Sequence, residues 1–319
     1  MQRYLLRRFL FSLFAIWATV TLTFVFMRAL PGDPVTTLVG EEGDPANIEK
    51  IKDRLGLNRS VPVQYFFYLR EIATLNLGDS IYLRLPVLDQ MKTAIPRSLS
   101  LASLSFALTL IIGIPAGIIS ATRRYSIWDH MATMIAFTGL AMPGFWLGIV
   151  LIIVFGVKLG LLPVFGYAPL YDADGYHLWD WLSRMILPAL ATGTGSAAII
   201  ARQTRSAMLE TLSQDYIRTA YAKGMRERVV IWRHAFRNSL IPVITVMGII
   251  FALLLNGVVI TETVFAINGL GRLLITSILG RDYPIVQGVI LLTAVILIFA
   301  NFVVDILYAF INPRIRYSN

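Results

Sequence analysis

Six stretches of this chain run for about the length of a bilayer crossing with at most one charge each, and no other feature constrains the fold as strongly. A hydrocarbon layer about 30 Å thick takes about 20 apolar residues at about 1.5 Å rise each. Phe9 to Met27, Ser98 to Thr122, Met131 to Val157, Met185 to Ala201 and Ser239 to Thr261 hold no Asp, Glu, Lys or Arg; Ile285 to Ile311 holds one, Asp305. Backbone polar groups in hydrocarbon must be satisfied within the segment, so such runs are helices. The composition agrees: 56% of the 319 residues are hydrophobic and 15% charged, against about 45–50% and about 25% for a soluble domain. The expected fold class is all-α: a polytopic membrane protein with about six transmembrane helices. There is no cysteine, which removes disulfides, thiolate ligands and Cys nucleophiles from consideration.

Arg7 and Arg8 before the first stretch suggest a signal peptide as an alternative. Signal h-regions run about 7–15 residues and end in a small-x-small cleavage site. Phe9 to Met27 is longer and leads into Arg28-Ala-Leu-Pro-Gly-Asp-Pro34, so it is read as an uncleaved helix.

Orientation follows from Lys and Arg in alternate connections. With the N-terminus inside, the inner side holds 15 basic residues against four acids, a net of +11, and the outer side 13 against 14. The chain's net charge of +9 is therefore topological. It needs no nucleic-acid partner, and both termini are expected in the cytoplasm, with lipid around the bundle.

The chain divides on this reading into 1–28 (tail and first helix), an extracytoplasmic cap over 29–97, and a five-helix core over 98–319 containing an inner loop, 202–238. In the cap, Pro31-Gly-Asp-Pro34 is a turn signal; Ala46 to Leu57 and Gln64 to Thr74 read as short helices. In the second outer loop, Asp172, Asp174 and His177 begin like a calcium loop, but the remaining ligands and the closing Glu are missing. A solvated loop with Trp179 and Trp181 at the interface is the plainer reading.

The inner loop from Arg202 to Asn238 carries eight of the inner bases. Ser213 can cap a helix starting Gln214-Asp215-Tyr216, with Asp215 at the positive end of the helix dipole. Ile217, Ala220 and Tyr221 share a face, Gly224 can end the helix in the left-handed region, and Val229 to Phe236 begins another. A basic interfacial helix or a solvated connector would fit the charge. The small residues Ala220, Ala222 and Gly224 favour close packing into a protein groove instead.

Asp215-Tyr-Ile-Arg-Thr-Ala-Tyr-Ala-Lys-Gly224, followed by His234-Ala-Phe-Arg-Asn-Ser-Leu-Ile-Pro242, closely resembles the EAA loop of ATP-binding-cassette importer permeases, in the dipeptide, oligopeptide and nickel branch. The resemblance extends over almost the whole chain: Leu30-Pro-Gly-Asp-Pro34, Leu55-Gly-Leu57, Leu77-Gly-Asp-Ser80, Gly113-Ile-Pro115, Pro143-Gly-Phe145, Thr204-Arg-Ser206, Glu262-Thr-Val-Phe265, Arg281-Asp-Tyr-Pro284 and Asn312-Pro-Arg-Ile-Arg316. Arg218-Thr219-Ala220 stands where many permeases have Glu-Ala-Ala, so Asp215 is the candidate acid for a docking ion pair.

The resemblance implies a permease subunit in a bacterial inner membrane. Its partners would be a homologous second permease, two cytoplasmic ATPase subunits and an extracytoplasmic substrate-binding protein. The coupling surface would comprise Asp215, Tyr216, Arg218, Thr219, Ala220, Ala222, Lys223 and Gly224. Gly224→Pro or a bulky residue at Ala220 would then abolish uptake while sparing insertion. The chain has no phosphate-binding Gly-x-x-x-x-Gly-Lys-Ser/Thr loop, and Gly269-Leu-Gly271 lacks the flanking strand and helix such a loop requires. No cofactor is therefore expected on this chain, ATP and Mg²⁺ belonging to the partner ATPases. No catalytic or metal-binding residue is assigned.

Met142, Pro143, Phe145, Trp146 and Glu262 are candidates for the pathway or its gate, and Arg281 and Asp282 for contact with the binding protein. Gly113-Ile-Pro115 and Pro143-Gly144 can break helices, and Gly193, Gly195 and Ser196 permit close helix approach. Asp305 is expected near the inner headgroups in a structural role. Within the branch, peptides are the leading substrate and glutathione or nickel complexes the alternatives. An ion-coupled carrier is the alternative class, but it predicts several intramembrane acids and internal repeats. An intramembrane enzyme lacks a motif; the three histidines, His130, His177 and His234, fall in no common span.

Overall fold

The computed structural model describes residues 2–29, 49, 52–53, 58–74, 76–82 and 84–311. The expected cap helix over Ala46 to Leu57 and the motifs Leu30 to Pro34 and Asn312 to Arg316 lie outside the described residues or largely so. Five helical segments are long and apolar enough to cross a bilayer: Phe9–Ala29, Val87–Thr122, Leu178–Leu212, Glu227–Leu255 and Tyr283–Ala300. A sixth span results if the pair Ile127–Ala141 and Gly144–Lys158, bent by 103°, is counted as one. The chain forms two compact units, Met1–Arg97 with Asn268–Ile298, and Ser98–Ile267 with Phe299–Asn319.

In the first unit, α1 (Gln2–Ala29) buries only 17% of its apolar stretch. Phe9, Phe14, Trp17, Leu22 and Phe26 are turned outward, as a lipid-facing helix requires. Its C-terminal end meets α2 (Val61–Ala73), where Phe24 stacks on Tyr68 at 5.4 Å and takes the edge of Tyr65 at 5.1 Å. Pro62 in the first turn of α2 occupies a position whose N–H has no helical partner. The first turns of α3 (Val87–Thr122) pack Val87, Met91 and Ala94 against Leu270, Ile285 and Val289. Leu270 opens α9 (Leu270–Leu279), and the other two lie on α10 (Tyr283–Ile311). A helix thus does follow Gly269-Leu-Gly271, contrary to expectation, although no strand precedes it among the described residues. Asp305 falls on α10, and its side chain lies outside the described set.

The second unit is built around α6 (Leu178–Leu212), whose apolar stretch is 50% buried. Its charge-free stretch, Met185 to Ala201, is the shortest of the six because Arg184 and Arg202 bound it, yet the helix runs past both; its small residues let neighbours approach. A Cβ on Gly113 would lie 2.7 Å from the Ala197 carbonyl oxygen, and one on Gly117 would lie 2.5 Å from Thr204 Cβ. At Gly193 the nearest atom would be the Ser105 carbonyl oxygen at 2.8 Å, whereas Gly195 has only an ordinary contact at 3.5 Å. Helix α3 runs unbroken through Pro115, so Gly113-Ile-Pro115 does not break it: its glycines serve packing along α6.

The break at Pro143 does occur. α4 (Ile127–Ala141) stops where Met142 turns extended, and Pro143 caps α5 (Gly144–Leu151), which continues as a π-helix over Ile152–Lys158. The outer loop holds a short hairpin, β1 (Tyr171–Asp172) antiparallel to β2 (Gly175–Tyr176). Asp172 accepts from the Asp174 N–H at 2.9 Å and pairs with His177 at 3.0 Å. The first of these bonds, with the second, holds its carboxyl below the usual range. The carboxylate thus serves its own turn. After α7 (Asp215–Ala222), one turn at Glu227–Val229 and a π-helix at Val230–Phe236 lead into α8 (Arg237–Val264).

Candidate functional site: a braced helix and the buried carboxylates

Helix α7 is amphipathic over eight residues. Ile217 and Ala220 are buried, 1% and 6% exposed, in a cluster with Ile118 and Ala121 of α3, Met208 of α6, and Val230 and Ala235 of the π-helix. Tyr221, placed on the same face by spacing, is 45% exposed; the buried stripe is too narrow to include it. Ser213 does not cap α7. It closes α6, its hydroxyl donating to the Glu210 carbonyl at 2.7 Å, and Gln214 is the N-cap.

The C-terminal end follows the Schellman pattern. Gly224 takes φ 75°, its N–H reaches the Tyr221 carbonyl at 2.9 Å, and the Met225 N–H reaches that of Ala220 at 3.3 Å. Met225 also joins the cluster that holds Ala220, the apolar contact that accompanies such caps. Tyr216 ties the helix to α8, its hydroxyl accepting from Asn238 Nδ2 at 2.8 Å.

The outer face therefore presents Asp215, Tyr216, Arg218, Thr219, Tyr221, Ala222, Lys223 and Gly224 on a helix held from behind by α3, α6 and the π-helix. Arg218 and Asp215 stand 3.6 Å apart at i, i+3 and are largely exposed. Such a surface pair is worth at most about 1 kcal/mol, so both groups are free to pair elsewhere. Ala220 belongs to the inner face, and a bulky residue there would disturb this chain's own core first.

Two candidate residues are buried and hydrogen-bonded within this chain. Glu262 is fully buried and accepts from the Ser98 hydroxyl on α3. It faces the interior of its own unit. Asp282 is 2% exposed and caps the turn after Asp79, accepting from the Ser80 hydroxyl and from the N–H groups of Ile81 and Tyr82 at 3.2 and 3.3 Å. Its neighbour Arg281 is half-buried at φ 52°. Asp282→Ala should cost about 1–3 kcal/mol, because two backbone donors lose their acceptor; a midpoint unchanged in detergent thermal unfolding would refute the cap. Met142, Pro143, Phe145 and Trp146 do meet at the break, and Phe145 and Trp146 are 45% and 46% exposed.

A third carboxylate escaped the reading of the sequence. Asp129, 4% exposed, accepts from the Ser120 hydroxyl at the end of α3, the Tyr125 N–H at 3.0 Å, and Arg205 of α6, whose Nε and Nη2 each lie 3.2 Å from a carboxylate oxygen. Arg205 Nε also lies 2.9 Å from Ser120 Oγ. The available signal was Ser126-Ile-Trp-Asp129, a Ser-x-x-acid start before an apolar run; Ser126 is the N-cap of α4, accepting from the Asp129 N–H at 3.3 Å.

Comparison with known proteins agrees with this architecture. The family of binding-protein-dependent transport system inner membrane components matches residues 113–317, and its N-terminal companion matches residues 1–102. A di/tripeptide transport system permease protein of Pseudomonas aeruginosa is 43% identical, with all of both chains covered. A dipeptide transport system permease protein of Alkalihalophilus pseudofirmus is 38% identical over 99% of this chain and all of the relative. An oligopeptide transport system permease protein of Bacillus subtilis is 39% identical with the same coverage. The inward-facing methionine ABC transporter MetNI shares the fold at TM-score 0.58 and 17% identity, over 70% of this chain and 97% of its own. The chain belongs to the family of binding-protein-dependent transport system inner membrane components.

Proposed function

We propose that this chain is a permease subunit of an ATP-driven importer of dipeptides or oligopeptides, and that α7 is where it receives the ATPase's motion. A homologous second permease would complete the pathway. Two cytoplasmic ATPase subunits would hold ATP and Mg²⁺, and an extracytoplasmic binding protein would deliver substrate. The chain itself binds no cofactor and performs no catalysis; both its termini lie in the cytoplasm of a bacterial inner-membrane system.

The observation that carries this reading is the two-sidedness of α7. A short helix with an exposed charged face cannot transmit force unless its other face is fixed, and Ile217 and Ala220 fix it to the ends of α3 and α6. Force on Arg218 or Lys223 is thereby passed to the spanning helices. The names of the relatives support peptides as cargo.

In proteoliposomes with all partners, uptake of a labelled dipeptide should require ATP and loaded binding protein. The pair Arg218→Glu and Lys223→Glu should lower uptake at least tenfold at normal expression and thermal stability, since neither side chain supports the core. Uptake that persists without ATP and follows a proton gradient would replace this reading with an ion-coupled carrier. Unchanged uptake in the charge-reversed protein would remove α7 as the docking surface.

A further inference from the structure

Where α1 ends against α2, the first unit holds a cavity of about 440 Å³ that is open on one side, a volume within the range of small-ligand sites. Its lining includes Arg28, Arg59, Tyr68, Glu71 and Asp79, two cations and two carboxylates around one space. Arg28 is half-buried. Its guanidinium lies 3.5 Å above the Phe24 ring and is oriented by the Gln64 amide oxygen, which accepts from Nε at 3.1 Å and from Nη2. Nη1 has one long bond of 3.4 Å, to the Phe24 carbonyl. Among the described residues Arg28 has no carboxylate partner. Tyr68 stacks on the same Phe24, and its buried hydroxyl has no hydrogen-bond partner among the described residues. Burial also pushes this phenol well above its ordinary pKa, so it stays a neutral donor.

A buried hydroxyl left unpaired costs about 1–3 kcal/mol, and a desolvated guanidinium without an anion adds to that. One group relieves both: a carboxylate, which accepts from a guanidinium fork and a phenol together. A simple dianion would be repelled by Glu71 and Asp79, and a metal cation by Arg28 and Arg59. The balanced lining suits a ligand that carries both charges.

We propose that this cavity binds a short zwitterionic peptide, its carboxylate accepting hydrogen bonds from Arg28 and the Tyr68 hydroxyl and its ammonium group drawn toward Glu71. The choice of a peptide over another zwitterion rests on the transport reading above; the pairing of a carboxylate with Arg28 and Tyr68 does not. Phe24 and Gln64 act as positioning residues that hold the guanidinium.

The test is calorimetric titration of alanyl-phenylalanine into the full chain in lipid nanodiscs, beside its C-terminal amide and its N-acetyl derivative. Saturable binding is expected, weakened at least tenfold for each blocked peptide. Arg28→Gln and Tyr68→Phe should each weaken binding of the free dipeptide at least tenfold. Tyr68→Phe keeps the ring that stacks on Phe24, so its effect is not one of folding. Equal affinity for the amide, unchanged affinity in both variants, or no saturable binding by the wild type would each overturn the proposal. Parallel uptake assays separate the two readings. ATP-driven uptake without saturable binding refutes the cavity site alone, and amide-sensitive binding without ATP-driven uptake refutes the transport reading alone.

Discussion

Gly117→Ala is expected to destabilise the protein by about 2 kcal/mol, and Gly117→Leu to prevent correct folding. In the interior of a helix, Gly to Ala ordinarily gains about 1 kcal/mol from backbone entropy. At position 117 that gain is overridden, because the new Cβ would sit 2.5 Å from Thr204 Cβ and 2.6 Å from the Ala201 carbonyl oxygen. One of these is backbone and the other is on a β-branched side chain, so neither yields without moving α3 off α6. Overpacking of this kind costs about 1–3 kcal/mol even for small additions. Gly195 is the internal control: its nearest atom would be at 3.5 Å, so Gly195→Ala should be neutral or stabilising by up to about 1 kcal/mol. Unfolding titrations in mixed micelles read both signs. Destabilisation of similar size at the two positions would mean that loss of glycine as such, not the close approach of α3 to α6, is responsible.

Asp129→Ala is the second large effect, expected at about 2–4 kcal/mol. Removing one member of a buried ion pair costs about 3–5 kcal/mol because the other charge stays uncompensated. The Arg205 side chain is 33% exposed, and water there reduces the penalty. The loss also strips acceptors from Ser120 and the Tyr125 N–H. Arg205→Ala should cost somewhat less, and the double variant clearly less than the sum, with a coupling above about 1 kcal/mol. Strict additivity would show that the 3.2 Å contacts do not hold α3, α4 and α6 together. Since these helix ends adjoin the cluster behind α7, the same variants should, on the function proposed for α7, lower uptake as well as stability.

How much of this was legible beforehand depends on the range of the interaction. The end of α7 at Gly224 could be read because a Schellman cap is made by neighbours: Ala220, Tyr221, Gly224 and Met225 suffice. That Ile217 and Ala220 share a face was also readable, since they stand at helical spacing; that this face is turned into the chain's own core was not. The interruption at Pro143 was visible for the same reason, a proline denying a local backbone donor. The roles of the carboxylates were not. Glu262 finds Ser98 across 164 positions and Asp282 finds Ser80 across 202. In one dimension each is an acid near a loop, which made Glu262 a candidate for the gate and Asp282 one for contact with the binding protein.

Sequence alone determined the class of fold, the long apolar helical segments and the asymmetry of charge, because hydrocarbon length, backbone satisfaction and the positive-inside rule act on contiguous residues. Only the tertiary structure decided which face of each helix meets which neighbour. It turned Gly113 from a possible break into a packing contact, gave Gly117 its place against α6, moved Ala220 from an outer surface to an inner core, and joined Asp129 to Arg205. These outcomes depend on what lies opposite a residue in space, and a chain that brings residues 76 or 202 positions apart within hydrogen-bond reach leaves no local trace of having done so.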